Sequence, residues 1–150
     1  MKMLIQRVND AKVLFEDGTN NSIGKGLLVY LGVHNEDSLK DIQICIKKLI
    51  NLRIFEDEEG KINFSLLDNN YEVMVISNFS LYGSMKKGNR PSFTESAPAL
   101  KANEMYEIFL EELKKSNVKF TTGRFQTYMD VQSSNDGPMN FIFDTREGVN

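Results

Sequence analysis

Polar and apolar residues alternate near both ends of the chain, whereas two interior stretches carry apolar residues at helical spacing. "KMLIQRV" sets Met3, Ile5 and Arg7 on one row and Leu4, Gln6 and Val8 on the other, the pattern of a half-buried strand. "AKVLFED" follows after Asn9 and Asp10, and Asp17-Gly18 is a hairpin signal, so antiparallel strands are expected here. "GLLVYLGV", residues 26 to 33, is apolar throughout and reads as a strand buried on both faces. "YEVMVISNFSLYG", 71 to 83, reads as a second long apolar strand. Between them, Asp37 is the expected N-cap of a helix bearing Ile42, Cys45, Ile46, Leu49 and Ile50 on one face. "NLRIFEDEEGKINFSLL" predicts a short hairpin turning at Glu59-Gly60, and "SMKKGNRPSFTESA" a loop. Ser96 and Pro98 suit the start of a second helix, with Ala102, Met105, Tyr106, Phe109 and Leu113 on its apolar face. Two late strands are expected around "VKFTT" and "TYMDVQ". In a final strand, Met139, Phe141 and Phe143 alternate, and it is entered directly through Gly137 and Pro138. Proline has no N–H and fits a central ladder poorly, so this corner is either punctuation or a backbone shape that presents carbonyl oxygens to a ligand. Strands with two interspersed helices predict a mixed α/β layer protein.

At 150 residues, one domain spanning 1–150 is expected. The composition, 41% hydrophobic and 26% charged, is ordinary for a water-soluble chain. A net charge of −3 argues against a protein that grips nucleic acid over its whole surface, though not against a local basic patch. The single cysteine, Cys45, excludes an intramolecular disulfide and fits a reducing compartment. Lys2, Arg7 and Asp10 interrupt the start, which lacks the apolar block of a signal peptide. No run approaches the roughly 20 apolar residues of a membrane span. A cytoplasmic protein with no membrane partner is expected.

Conventional acid–base groups are scarce. His34 is the sole histidine, and a surface or capping role suits it better than that of a base. Cys45 shares an apolar helix face, which favours a buried structural thiol over a nucleophile. No cluster has zinc-ligand spacing, no GxxxxGK[ST] or GxGxxG pattern occurs, and no cofactor is indicated. The carboxylates of "FEDEEGK" read as a solvated turn. Any catalysis therefore falls to hydroxyls, backbone groups or the substrate itself. Three segments stand out. "SNFSLY", Ser77 to Tyr82, interrupts an apolar strand with polar groups, which are costly to bury unless bonded; it suggests a pocket floor with Phe79 as a wall, or only local bonds from Ser77 and Ser80 to the backbone. "KKGNRPSF" gathers Lys86, Lys87 and Arg90 ahead of Phe93; such a run is usually just solvated, but in an acidic protein it can meet phosphates. The third is Gly137-Pro138.

Together, "IQRV", "GLLVYLGV", "KKLINLRIFEDEEGKINFSLLD", "VISNFSLYG", "KKGNRPSF", "TGRF" and "NDGPMNFIFDT" resemble, in order and spacing, the D-aminoacyl-tRNA deacylase family. The resemblance implies a mixed, barrel-like β-sheet core with two outer α-helices, assembled as a homodimer with active sites at the subunit boundary. It implies hydrolysis of the ester joining a D-amino acid, or glycine, to the terminal ribose of tRNA, with no DNA partner. Ser77, Asn78, Phe79 and Ser80 would form the catalytic segment, Ser80 positioning rather than attacking. The terminal 2′-hydroxyl of the tRNA would assist. A cis Gly137-Pro138 corner with Met139, braced by Arg7, would enter the partner's pocket and reject L side chains; without the family, Arg7 reads as an ordinary surface pair on an edge strand. Lys86, Lys87 and Arg90 would contact tRNA. Two positions depart from the family pattern: Asn78 stands for Gln, and Asn140 for Thr. They motivate an alternative, a catalytically weak or silent RNA- or nucleotide-binding dimer on the same scaffold.

Overall fold

The computed structural model describes residues 1–86 and 88–147. A six-stranded sheet is ordered β2(Asn20–Ile23), β1(Lys2–Phe15), β3(Gly26–Gly32), β6(Glu72–Ser77), β7(Phe120–Thr122), with β8(Met129–Asp144) along β1. β3 runs parallel to β6 and β6 parallel to β7; β1 is antiparallel to β2, β3 and β8. The sheet curls until Asn21 Nδ2, on β2, donates to Thr122 O, on β7, at 2.7 Å, which gives the expected barrel-like core. β4(Phe55–Glu56) and β5(Ile62–Phe64) form the expected small hairpin.

Side-chain alternation divides the interior in two. Leu27, Val29 and Leu31 of β3 face the helices α1(Leu39–Asn51) and α3(Ala99–Lys114), while Leu28 faces a second cluster with Val13, Phe15, Met74 and Ile76. β3 is thus apolar throughout because both its faces are covered. α1 buries Ile42, Cys45, Ile46 and Leu49, and α3 buries Ala102, Met105, Tyr106, Phe109 and Leu113, the two stripes expected from spacing.

Several boundaries differ from expectation. The N-cap of α1 is Ser38, whose N–H donates to the Asp41 carboxylate at 2.9 Å. Asp37 turns inward instead, accepting from the Met1 ammonium and from His34 N, each at 2.7 Å. A third, one-turn helix, α2(Leu66–Asn69), follows the hairpin, started by Ser65 and Asp68 and stopped by Asn70 at φ 52°. The strand expected over 71 to 83 ends at Ser77 and winds into a 3₁₀ turn, Phe79–Tyr82. β1 is one long strand rather than two, and the last two expected strands are one, β8.

Gly137-Pro138 lies within β8. Gln6 pairs with Asn140 and Val8 with Asn135, so two steps along β1 face five along β8. The surplus residues leave the ladder as a bulge, which reconciles a proline with a strand interior. The Gly137–Pro138 bond is cis, and Gly137 has φ 119°.

Candidate functional site

β6 delivers the chain to the site and the 3₁₀ turn shapes it. Asn78 N donates to Leu31 O at 2.8 Å, and the Asn78 Oδ1 accepts from Ser80 N at 3.0 Å and from the Ser80 hydroxyl. Leu81 N points back to Asn78 O. Gly32 gives the turn room: a Cβ there would stand 3.1 Å from Leu81 Cβ and 3.3 Å from Asn78 O. Among the described residues no acceptor takes the Phe79 N–H, whereas the Ser80 and Leu81 amides are engaged. Asn78 therefore acts as a local cap, as short amide side chains commonly do.

Beside this turn lies a cavity of about 630 Å³. Leu31 and Val33 are at its base, and Ser77, Asn78 and Phe79 form one side. Phe93 stacks edge-on against Phe79, with ring centroids 4.9 Å apart. Ala97, just before α3, and Ala99 and Ala102 in its first turn have small side chains that leave the volume open. Phe125, Gln126, Thr127, Tyr128 and Met129 close the remaining side. Arg124 fastens that segment to the β1–β2 hairpin, through Asp17 at 2.6 Å and Thr19 Oγ1 at 2.9 Å, with its guanidinium over Phe15. The Thr19 hydroxyl and then Arg124 hold the Asp17 carboxyl well below the usual carboxylate range.

Among the described residues no imidazole, thiol, carboxylate, amine or guanidinium lines the cavity, and the one ionisable group there is the largely exposed Tyr128 phenol. His34 is spent elsewhere, its Nδ1 accepting from Glu36 N at 3.1 Å. Cys45 is buried, and burial pushes its thiol up to about 12. Among the described residues no group of three His, Cys, Asp or Glu side chains is placed to hold a metal. Among the described residues the site is an apolar cleft with hydroxyls, amides and the free Phe79 N–H.

Of the residues nominated from sequence, Ser77, Asn78 and Phe79 line the cavity together; Ser80 sits in the same turn but bonds inward to Asn78. Gly137 and Pro138 are exposed and do not line the cavity of their own chain, and Met139 packs against the main core. Arg7 is buried rather than a surface residue of an edge strand, because it takes the next position on the inward row after Met3 and Ile5. Its Nη1 donates to Ile54 O at 2.6 Å, and its Nε lies 2.9 Å from the Asp136 carboxylate, beside Gly137. Lys86 and Arg90 are exposed, and Lys87 lies outside the described residues. Sequence reasoning missed Ala97 and Ala99, used Ala102 only to place a helix, and missed the 125–129 wall, whose aromatic Tyr128 among polar neighbours was the available signal.

A family model described as D-Tyr-tRNA(Tyr) deacylase matches residues 4–144. The chain is 51% identical to a D-aminoacyl-tRNA deacylase of Finegoldia magna over 97% of this chain and 99% of that protein. It is 48% identical to a D-aminoacyl-tRNA deacylase of Thermosipho africanus over 98% of this chain and 99% of the relative. A solved structure named c-Myc DNA Unwinding Element Binding Protein superposes with a TM-score of 0.90 at 38% identity, covering 96% of this chain and 98% of that one. A probable eukaryotic D-amino acid tRNA deacylase shares the fold, with a TM-score of 0.81 at 16% identity over 95% and 97% of the two chains.

Proposed function

The chain belongs to the D-Tyr-tRNA(Tyr) deacylase family, and from that membership we propose that it hydrolyses the ester between a D-amino acid and the terminal ribose of tRNA, working as a homodimer. The observation that carries the reading is the cleft itself: beside a free Phe79 N–H, the described residues place no strong acid, base or nucleophile there. Such a site suits a substrate that is already activated and brings its own hydroxyl. The ester carbonyl oxygen takes the Phe79 N–H, which stabilises the negative charge developing there. Water adds to the carbonyl carbon, and the bond from that carbon to the ribose oxygen breaks. The proton of the water passes through the adjacent 2′-hydroxyl to the departing oxygen. Ser80 positions Asn78 and is not itself the nucleophile, since its hydroxyl already donates to that side chain.

Chirality is sorted by main chain. The Gly137-Pro138 corner stands clear of its own cavity, so it acts on the cavity of the partner subunit, where its carbonyls crowd an L side chain. This is selection by rejection. It tolerates varied D side chains and does not exclude glycine, which has no side chain to reject. Lys86 and Arg90, exposed on the loop beside the cleft, meet phosphates of the tRNA, with Lys87 in the same run. Incubation with D-Tyr-tRNA and L-Tyr-tRNA tests the function: the D ester is expected to be cleaved at least about a hundredfold faster, a ratio worth about 2.7 kcal/mol. Equal cleavage of both, or of neither, refutes it.

A further inference from the structure

Gly137 and Pro138 lie outside both hydrophobic clusters, and Met139 only packs against the edge of one, so the shape of the corner depends on what crosses the base of the bulge. Two asparagines close that base. Asn135 Nδ2 donates to Asn140 Oδ1 at 3.2 Å, and Asn140 Nδ2 donates back to Asn135 Oδ1 at 3.3 Å. Asn135 Nδ2 also reaches Arg7 O at 3.0 Å, and Gln6 Nε2 reaches Asn140 Oδ1 at 2.9 Å. Only a pair of amides makes this two-way exchange; a hydroxyl at either position would supply one donor and no planar fork. The exchange spans the residues where the ladder is broken, from the Val8–Asn135 pair to the Gln6–Asn140 pair. It therefore replaces the missing rungs and fixes the distance between the two ends of the bulge.

We propose that Asn140, paired with Asn135, is a positioning residue for stereoselection, holding the neck of the bulge so that the Gly137 and Pro138 carbonyls keep one orientation. This rests on the corner acting as the filter described above. The pair touches neither the cavity nor the Phe79 N–H, so loosening it leaves hydrolysis of the D ester intact and admits the L ester. Networks of this kind act as a unit, so the two positions are expected to be strongly coupled.

The test compares the rates with D-Tyr-tRNA and L-Tyr-tRNA for the unmodified protein and for Asn140→Ala, Asn135→Ala and the double variant, with melting temperature as a folding control. Each single variant is expected to lower the D-over-L ratio by roughly tenfold, the scale of one or two lost neutral hydrogen bonds, with the D rate within about twofold of the unmodified protein. The double variant is expected to be no worse than the worse single. An unchanged ratio, equal falls in both rates, or independent multiplication of the two effects overturns the proposal. Failure of the underlying reading shows separately, as no preference for the D ester in the unmodified protein.

Discussion

Gly137→Ala is expected to reduce the preference for D over L esters by about a hundredfold while the protein stays folded. Gly137 sits at φ 119°, a region essentially closed to residues with a Cβ. A Cβ added there would stand 3.1 Å from Met139 N, 3.3 Å from Met139 Cβ and 3.4 Å from Arg7 Nη2. The Arg7 side is not free to yield, because the guanidinium is buried and tied to Ile54 O and Asp136. The corner itself must turn, and its carbonyls turn with it. A displacement on the order of 1 Å at a reacting centre is enough for such a change. The melting temperature is expected to move little, since Gly137 and Pro138 belong to neither apolar cluster and only Met139 of the bulge packs against one. Rates on both esters, measured at enzyme excess, separate the outcomes: loss of the ratio through a rise in the L rate supports a filter, whereas an equal fall in both rates assigns Gly137 to the fold alone.

A D-Tyr-tRNA ending in 2′-deoxyadenosine is expected to be cleaved at least about a hundredfold more slowly than its ribose counterpart, the lower end of what one positioned proton-transfer group contributes. The reason is the lining of the cleft. His34 and Cys45 are held elsewhere, and Ser80 donates to Asn78 without a base beside it. Among the described residues the lining offers only hydroxyls with no imidazole, carboxylate or amine beside them to take over the proton transfer. Binding, followed by competition with the ribose substrate, is expected to be nearly unchanged. A deoxy substrate cleaved within a few fold of the ribose one would mean that a protein group carries the proton.

Much of the fold follows from local patterns. The two-sided apolar run of β3 and the two helical stripes correspond to buried surfaces, because burial is what hydrophobic period records. The pattern placed Arg7 on the inward row with Met3 and Ile5, yet its charge suggested a surface; the ion contact with Asp136 lies far along the chain and has no local signal. Asp37 looked like a cap because caps are assigned from short-range spacing, but its partner is the Met1 ammonium, 36 residues earlier and just before β1. The 3₁₀ turn at Phe79–Tyr82 was hidden in an apolar run because its stop is imposed by Asn78 and by the space over Gly32. Ala102 was legible as helix and illegible as cavity, since an empty volume is defined by the residues facing it.

The assignment of the corner to the partner's cleft is tested most directly in mixed dimers. One subunit carries Gly137→Ala with an open cleft; the other carries Ala99→Trp, which fills its cleft, with an intact corner. Differently tagged subunits are co-expressed and the heterodimer is purified. The open cleft then meets an intact corner only if corners act across the boundary. The account predicts that D-over-L discrimination in the heterodimer returns to that of the unmodified protein. Discrimination as poor as that of the Gly137→Ala homodimer would contradict it.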